Sequence, residues 1–172
     1  MLKITGALLC VVGSAGFGFI KIRGWKQALE EIKIWIVLFQ RVKSCILYQK
    51  ETLEGSCSFV GEREASLQGA VLQRIGQRAG EERNNEFSTI WFEEMELWCK
   101  KATLPDGVQQ LLLQFPEYIR EADEMLQINL FSLYMEELRQ EKTELEKRIK
   151  EQQKPVMAIS LVVGMMLSIL LV

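Results

Sequence analysis

The chain has 172 residues, of which 48% are hydrophobic and 26% are charged, and its formal net charge is −2. Histidine is absent, which removes the commonest general base and the commonest zinc ligand, so an enzyme of this sequence would need carboxylate or lysine chemistry. Residues 24–154 contain 18 basic and all 23 acidic residues. Because this part carries a net charge of −5, it has no electrostatic reason to bind nucleic acid.

The first predicted element is an apolar helix near the N-terminus. Residues 4–20 form an uncharged run of 17 residues, about 25 Å of helix and just enough to cross a ~30 Å hydrocarbon layer. Small residues at 14–16 are compatible with a signal-peptide cleavage site, and a cleaved signal peptide is one alternative. The basic residues Lys21, Arg23 and Lys26 follow the run. Because positive charge stays on the cytoplasmic side, they favour a retained transmembrane helix.

The next residues predict helices of a soluble domain. Between Trp25 and Tyr48, apolar residues recur at steps of three and four, which predicts an amphipathic helix that leaves the membrane. The sequence "EGSCS" at residues 54–58 then predicts an interruption. A second helix is expected around residues 65–76, weakened by its glycines, and a polar loop follows it.

Two further helices are predicted before the last long one. Residues 87–102 place aromatic and aliphatic side chains on one side of a helix, and residues 104–115 form a short fourth helix. Pro105 and Pro116 are expected at helix starts, where a missing N–H costs little. The carboxylates that this third helix carries are interpreted as a solvated face rather than as an acid/base pair: Glu93, Glu94 and Glu96.

The last helix of the soluble part is predicted to run without a break from Glu117 to Gln153. Its apolar residues alternate at steps of three and four, as in a coiled-coil seam that Lys142 interrupts. The seam consists of Ile128, Phe131, Met135, Leu138, Leu145 and Ile149. This seam is expected to pack antiparallel against the first long helix of the same molecule, and an intermolecular coiled coil is the alternative.

The C-terminus repeats the pattern of the N-terminus. Residues 155–172, "PVMAISLVVGMMLSILLV", are uncharged, and four basic residues lie within 147–154. Both basic flanks then lie on one membrane face. The sequence therefore predicts an all-α protein with three parts: a transmembrane helix at 1–22, a cytoplasmic antiparallel bundle of about five to six helices at 23–154, and a second transmembrane helix at 155–172.

Small residues recur at intervals of four in both predicted transmembrane helices. Such spacing lets helix backbones approach closely in lipid, where packing drives association. We interpret these residues as contact faces, either for each other or for other membrane subunits. They are Gly6, Cys10, Ser14, Gly18, Ser160, Gly164 and Ser168.

No cysteine pair has metal-binding or redox spacing. The four cysteines include no C-x-x-C motif, so free thiols in a reducing cytoplasm are the simplest interpretation. A disulfide between Cys45 and Cys57 is the alternative if the domain were exported. The sequence indicates no catalytic residue, cofactor site, metal site or small-molecule substrate, and we expect a protein without enzymatic activity.

Several segments resemble one family. Four features are similar to stage III sporulation protein AB of endospore-forming bacteria. They are the start "MLKITGALLCVVGSAGFGF", the long helix after it that ends in "ILYQKETL", the tryptophan of "STIWFEEME", and the long charged helix that leads into a C-terminal apolar run. Members of that family resemble the cytoplasmic domain of F-type platform proteins of type II secretion systems. The resemblance implies a bundle of about six helices, no enzymatic activity, and a membrane complex between mother cell and forespore. The implied partners are a secretion-type ATPase and other membrane subunits.

The chain also departs from the family pattern. Ser44 and Cys45 stand where an acidic residue is typical. The sequence "KETLEGS" replaces the family's proline-leucine turn, and "LLLQFPEY" stands where leucine-glycine repeats are expected after the fourth helix. No contact residue is therefore transferred. Two functions follow as hypotheses: a scaffold subunit that couples a cytoplasmic ATPase to membrane partners, or a membrane-tethered coiled-coil adaptor or sensor unrelated to secretion.

Overall fold

The computed structural model describes residues 2–82, 85–119 and 124–171, and every regular element in these ranges is helical. The prediction of an all-α fold is confirmed. The described ranges contain seven α-helices, which is more than the predicted number of about five to six. They are α1 (Leu2–Ser44), α2 (Leu53–Glu62), α3 (Leu67–Glu81), α4 (Phe87–Cys99), α5 (Asp106–Leu113), α6 (Phe115–Ile119) and α7 (Glu124–Leu171).

The chain divides into two compact units. The central unit is Glu30–Lys142, and the terminal unit combines Met1–Leu29 with Thr143–Val172. Because α1 and α7 are longer than the other helices, each contributes to both units. The two units are described separately below.

The interruption after the first helix lies earlier than the sequence predicted. A π-helical turn, Cys45–Gln49, follows α1, and Lys50 then adopts a left-handed conformation with φ 52° that ends the helix. Thr52 caps α2, since its hydroxyl accepts a hydrogen bond of 3.1 Å from the N–H of Gly55. The expected break at "EGSCS" is wrong, because residues 54–58 lie inside α2.

Small residues make α2 a helix that another backbone can approach closely. A Cβ at Gly61 would lie 2.6 Å from the carbonyl oxygen of Gly69, and one at Gly76 would lie 2.6 Å from that of Glu54. Real Cβ atoms do not approach this closely, so α2 and α3 meet backbone to backbone at these glycines. The glycines of α3 are therefore the reason for its packing against α2, whereas the sequence suggested only that they weaken the helix.

The centre of the central unit is a cluster of aromatic rings from four helices. The Phe115 ring of α6 lies 4.6 Å from both Phe39 of α1 and Trp91 of α4, measured between centroids. Phe131 and Tyr134 of α7 lie 5.4 Å and 5.0 Å from the same ring. Such ring pairs each add about 0.5–1.5 kcal/mol beyond the apolar area that they bury.

Within the central unit, α1 and α7 run antiparallel. Lys43 donates a hydrogen bond of 2.6 Å to the hydroxyl of Ser132. One turn earlier on α1, Phe39 contacts Tyr134 with centroids 5.2 Å apart. As the residue number falls along α1, the number of its neighbour on α7 rises. This is the arrangement expected from the apolar stripes of the two helices.

The last long helix differs from its predicted course at both ends. The residues predicted to begin it belong to α6, which ends at Ile119, and α7 begins at Glu124. Gln127 of α7 donates a hydrogen bond of 3.5 Å to the carbonyl oxygen of Ile119. At the other end, α7 includes Pro155 and extends to Leu171. Pro105 and Pro116 do lie at the starts of α5 and α6, as predicted.

Among the side chains of the terminal unit that the structure describes, few are buried and many apolar ones are exposed. Ile22, Ala28, Leu145 and Ile149 are buried. The apolar side chains that remain exposed are Phe19, Ile20, Met157, Ile159, Val162, Val163, Met165 and Met166. Within the part of the chain that the structure describes, no helix combines the length and the apolar character that crossing a membrane requires.

Candidate partner-binding surfaces

The predicted seam of α7 is largely buried. Phe131, Met135 and Leu138 are at most 2% exposed in the central unit. Leu145 and Ile149 are buried in the terminal unit, and Ile128 is half-buried. The sequence analysis missed a further core residue of α7, which is Tyr134. Its position one residue before Met135 could have indicated it, because an apolar face wider than a two-position seam includes such neighbours.

The seven small residues predicted as contact faces are on helical backbone. They are Gly6, Cys10, Ser14 and Gly18 on α1, and Ser160, Gly164 and Ser168 on α7. All seven lie outside the residues whose side-chain surroundings the structure describes. Their role as contact faces stays a prediction.

An ionic cluster joins α3 to α4. Arg78 of α3 donates hydrogen bonds of 3.0 Å to Glu82, Glu93 and Glu94. Arg74 donates another, of 3.1 Å, to Glu94. The expectation of a solvated face is wrong for Glu94, because this side chain is only 11% exposed and lies between the two arginines. The one signal in the sequence is the spacing of Arg74 and Arg78, which lie four residues apart and therefore on the same face of one helix.

The protonation equilibria of the cluster follow from these hydrogen bonds. Hydrogen bonds to Glu82, Glu93 and Glu94 raise the pKa of Arg78 above its usual range, so the guanidinium stays charged. The hydrogen bonds that Glu82 accepts, first from Arg78 and then from Asn85, lower the pKa of its carboxyl. Each charged side chain of the cluster has a partner of opposite charge, which is typical of a structural contact between helices rather than of an acid/base site.

A second hydrogen bond between side chains links α6 to α7. The Tyr118 hydroxyl donates to Glu137 at 2.6 Å. This hydrogen bond, together with burial, raises the pKa of Tyr118 to about 12. The phenol therefore remains a donor at any physiological pH, and the hydrogen bond links α6 to the N-terminal third of α7.

Two concavities of the central unit meet at Ser88 and Pro116, between the start of α4 and α6. Their volumes are about 470 and 440 Å³. We call the two together the acidic groove, because acidic residues line both halves. The lining residues are Leu53, Glu54, Glu86, Phe87, Ser88, Thr89, Phe92, Glu93, Leu113, Pro116, Glu117, Ile119 and Gln127.

A different groove lies between α1 and α2. It has a volume of about 460 Å³ and is lined by apolar side chains together with Arg41 and Arg63. Arg41 forms an ion pair of 2.7 Å with Glu64, and the Arg63 guanidinium lies 3.4 Å from the centroid of the Phe59 ring. Both arginines therefore already have partners within the chain, which reduces the charge that this groove offers to a ligand.

The cysteines of the central unit are buried free thiols: Cys45, Cys57 and Cys99. The alternative of a disulfide between Cys45 and Cys57 is not realised in the structure. Burial raises the pKa of Cys99 to about 11, and it raises those of the other two thiols as well. Since the thiolate is the reactive form, these side chains behave as small apolar residues of the core.

These features define the class of protein: an all-helical chain with an aromatic core in the central unit and exposed apolar residues in the terminal unit. The family model of stage III sporulation protein AB matches residues 3–172, and the chain belongs to this family. The family is one of sporulation proteins, which is consistent with a role in sporulation. No curated protein matches the chain significantly, and no solved structure does.

Proposed function

We propose that this protein is a non-enzymatic membrane scaffold subunit of a sporulation-specific, secretion-like complex between mother cell and forespore. Its N- and C-terminal helices would insert into the membrane, and its central unit would lie on the cytoplasmic side. The observation that carries the proposal is the family match over residues 3–172. The outward-facing apolar residues of the terminal unit support the membrane part of the proposal.

Membrane insertion is supported by the chemistry of the terminal segments. Residues 4–20 and 155–172 contain no charged residue. Ile20 and Met166 are 69% and 68% exposed in the chain alone. Large exposed apolar patches of this kind mark contact with a membrane or with another protein. The basic residues beside both runs favour a cytoplasmic central unit.

The scaffold role is supported by the way the central unit uses its polar groups. The carboxylates of the α3–α4 cluster are paired with arginines, and the cysteine thiols of the central unit are buried. The resemblance to platform proteins of secretion systems suggests that the central unit transmits the movement of a cytoplasmic ATPase to membrane subunits. The small-residue faces of the terminal helices would contact those subunits.

Co-purification from sporulating cells tests this function. The full chain is extracted in mild detergent, and the recovered subunits are identified by mass spectrometry. Gly6→Leu together with Gly164→Leu should leave membrane abundance unchanged but lower the recovery of membrane subunits and the spore yield. The matched control is Ala7→Leu with Ala158→Leu, which introduces the same two leucine side chains outside the small-residue faces.

The outcomes separate the two hypotheses. Recovery of an ATPase and membrane subunits with the wild-type chain, and their loss only in the glycine variant, supports the scaffold. Normal recovery and normal spores in both variants would show that the small residues are ordinary membrane composition. A wild-type chain that recovers no ATPase and no sporulation membrane subunit would contradict the scaffold and favour an unrelated adaptor.

A further inference from the structure

We propose that the acidic groove binds a basic amphipathic helix of a partner protein. The inference rests on the scaffold function proposed above, because it names the kind of segment that such a scaffold would hold. It concerns only residues of the central unit. Whether the terminal helices enter a membrane does not affect it.

The shape of the groove suits a helix. Its two concavities are neighbours, since both are lined by Ser88 at the start of α4 and by Pro116 of α6. Helical segments that bind in grooves place apolar residues at positions i, i+3, i+4 and i+7 into such a depression. Two adjoining concavities therefore accommodate successive apolar side chains of one bound helix.

The floor of the groove is apolar and reachable from solvent. Phe92 of α4 is 50% exposed although it is a large aromatic residue, and Leu113, which lines the same concavity, is half-buried. Phe87, which lines the other concavity, is half-buried as well. Pro116 and Ile119 complete the floor from α6. A partially exposed aromatic side chain in a concavity is the type of residue that contributes most to binding energy at protein interfaces.

The charge of the groove selects the partner. Four carboxylates line it, those of Glu54, Glu86, Glu93 and Glu117, and its described lining contains no lysine or arginine. Glu93 also pairs with Arg78 at 3.0 Å, and Glu86 accepts a hydrogen bond from the Ser88 hydroxyl. The other lining residues are apolar or uncharged, so the charge of the described lining comes from its carboxylates. Such a surface repels anionic lipid and nucleic acid, and it attracts a segment with lysine or arginine beside its apolar stripe.

Site-specific photocrosslinking in sporulating cells tests this inference on the full chain. Benzoylphenylalanine replaces Phe92, and the crosslinked peptide is identified by mass spectrometry after purification. The expected product is a segment of another protein that has apolar residues at helical spacing flanked by lysine or arginine. The control is benzoylphenylalanine at Leu67, which is 78% exposed on α3 and outside the groove, and it should not capture this segment.

The second measurement is the crosslinking yield of charge variants made in the chain that carries benzoylphenylalanine in place of Phe92. Thr89→Lys adds a positive charge to the rim of the groove without removing any carboxylate, and we expect it to lower the crosslinking yield about tenfold. Glu117→Lys should act in the same direction. Glu62→Lys, at an exposed position of α2 outside the groove, is the matched control and should leave the yield unchanged.

The inference would be overturned if no crosslink formed at position 92. A crosslink to lipid, to a second copy of this chain or to a segment without basic residues would also overturn it. So would an unchanged crosslinking yield in Thr89→Lys. Failure of the groove is distinguishable from failure of the scaffold. If membrane subunits still co-purify while the Phe92 crosslink fails, only the groove is contradicted. If the crosslink forms while no membrane subunit co-purifies, only the scaffold function is contradicted.

Discussion

The central and terminal units differ in how deeply their apolar side chains are buried. In the central unit, the rings of Phe39, Trp91 and Phe115 are fully buried against one another. In the terminal unit, Ile20 and Met166 are more than two-thirds exposed. The central unit therefore buries an aromatic core within the chain, although Leu67, Phe92 and Leu133 remain exposed on its surface, whereas most of the large apolar side chains described in the terminal unit are exposed and suited to contact with something outside the chain. This contrast suggests one region that stabilises itself and another that is completed by its surroundings.

The largest effect is expected from a charge in the seam of α7. Leu138 is fully buried in the central unit, so Leu138→Asp should lower the free energy of unfolding by about 3–5 kcal/mol, because an uncompensated charge would be buried. The matched control is Leu133→Asp on the same helix, where Leu133 is 51% exposed. Denaturant unfolding of the detergent-solubilised chain measures both. Equal stability of the two variants would contradict burial of the seam.

The next effect concerns the contact between α2 and α3. A Cβ at Gly76 would lie 2.6 Å from the carbonyl oxygen of Glu54, whereas one at Gly80 meets nothing within 4 Å. Gly76→Ala should lower the free energy of unfolding by about 1–3 kcal/mol, because the two backbones must separate. Gly80→Ala on the same helix should raise it by up to about 1 kcal/mol through helix propensity. Thermal unfolding followed by circular dichroism compares them, and the same sign for both would refute the close contact.

The smallest effect is expected at Tyr134, whose hydroxyl is buried and has no hydrogen-bond partner among the described residues. Tyr134→Phe keeps the ring and removes a polar group that has lost its hydration. The free energy of unfolding should therefore stay unchanged or rise by about 1 kcal/mol. Tyr118→Phe is the comparison, because it removes the hydrogen bond to Glu137 and should be destabilising. A marked loss of stability in Tyr134→Phe would indicate a hydrogen bond that this account omits.

Periodicity in the sequence was sufficient to predict the helical fold and most of the core. The stripe on α1 that includes Phe39 and the seam of α7 that includes Leu138 are both buried, because an amphipathic helix has few other ways to satisfy its apolar face. Pro105 and Pro116 marked helix starts correctly because proline lacks the N–H that an interior position would need. These local rules act within one helix.

Two of the sequence-based predictions are wrong because they ignore contacts between helices. The glycine and the other small residues of "EGSCS" suggest a break, because a single helix gains nothing from them. Their segment instead packs against α3, where a Cβ at Gly76 would lie 2.6 Å from the carbonyl oxygen of Glu54. Glu94 looked solvated because its arginine partners lie on α3, 16 and 20 residues earlier in the chain. The acidic groove joins α4 to α6, so no short motif could have indicated it.

The most direct test of the contrast between the two units compares the accessibility of two similarly exposed positions. Leu133 in the central unit and Val163 in the terminal unit are 51% and 46% exposed in the chain alone. Single Leu133→Cys and Val163→Cys variants are treated with a membrane-impermeant maleimide in opened sporulating cells without detergent, and again after denaturation, with the wild-type chain as the background for its native thiols. The account predicts rapid labelling of Leu133→Cys and no labelling of Val163→Cys until denaturation. Equal labelling of both before denaturation would contradict it.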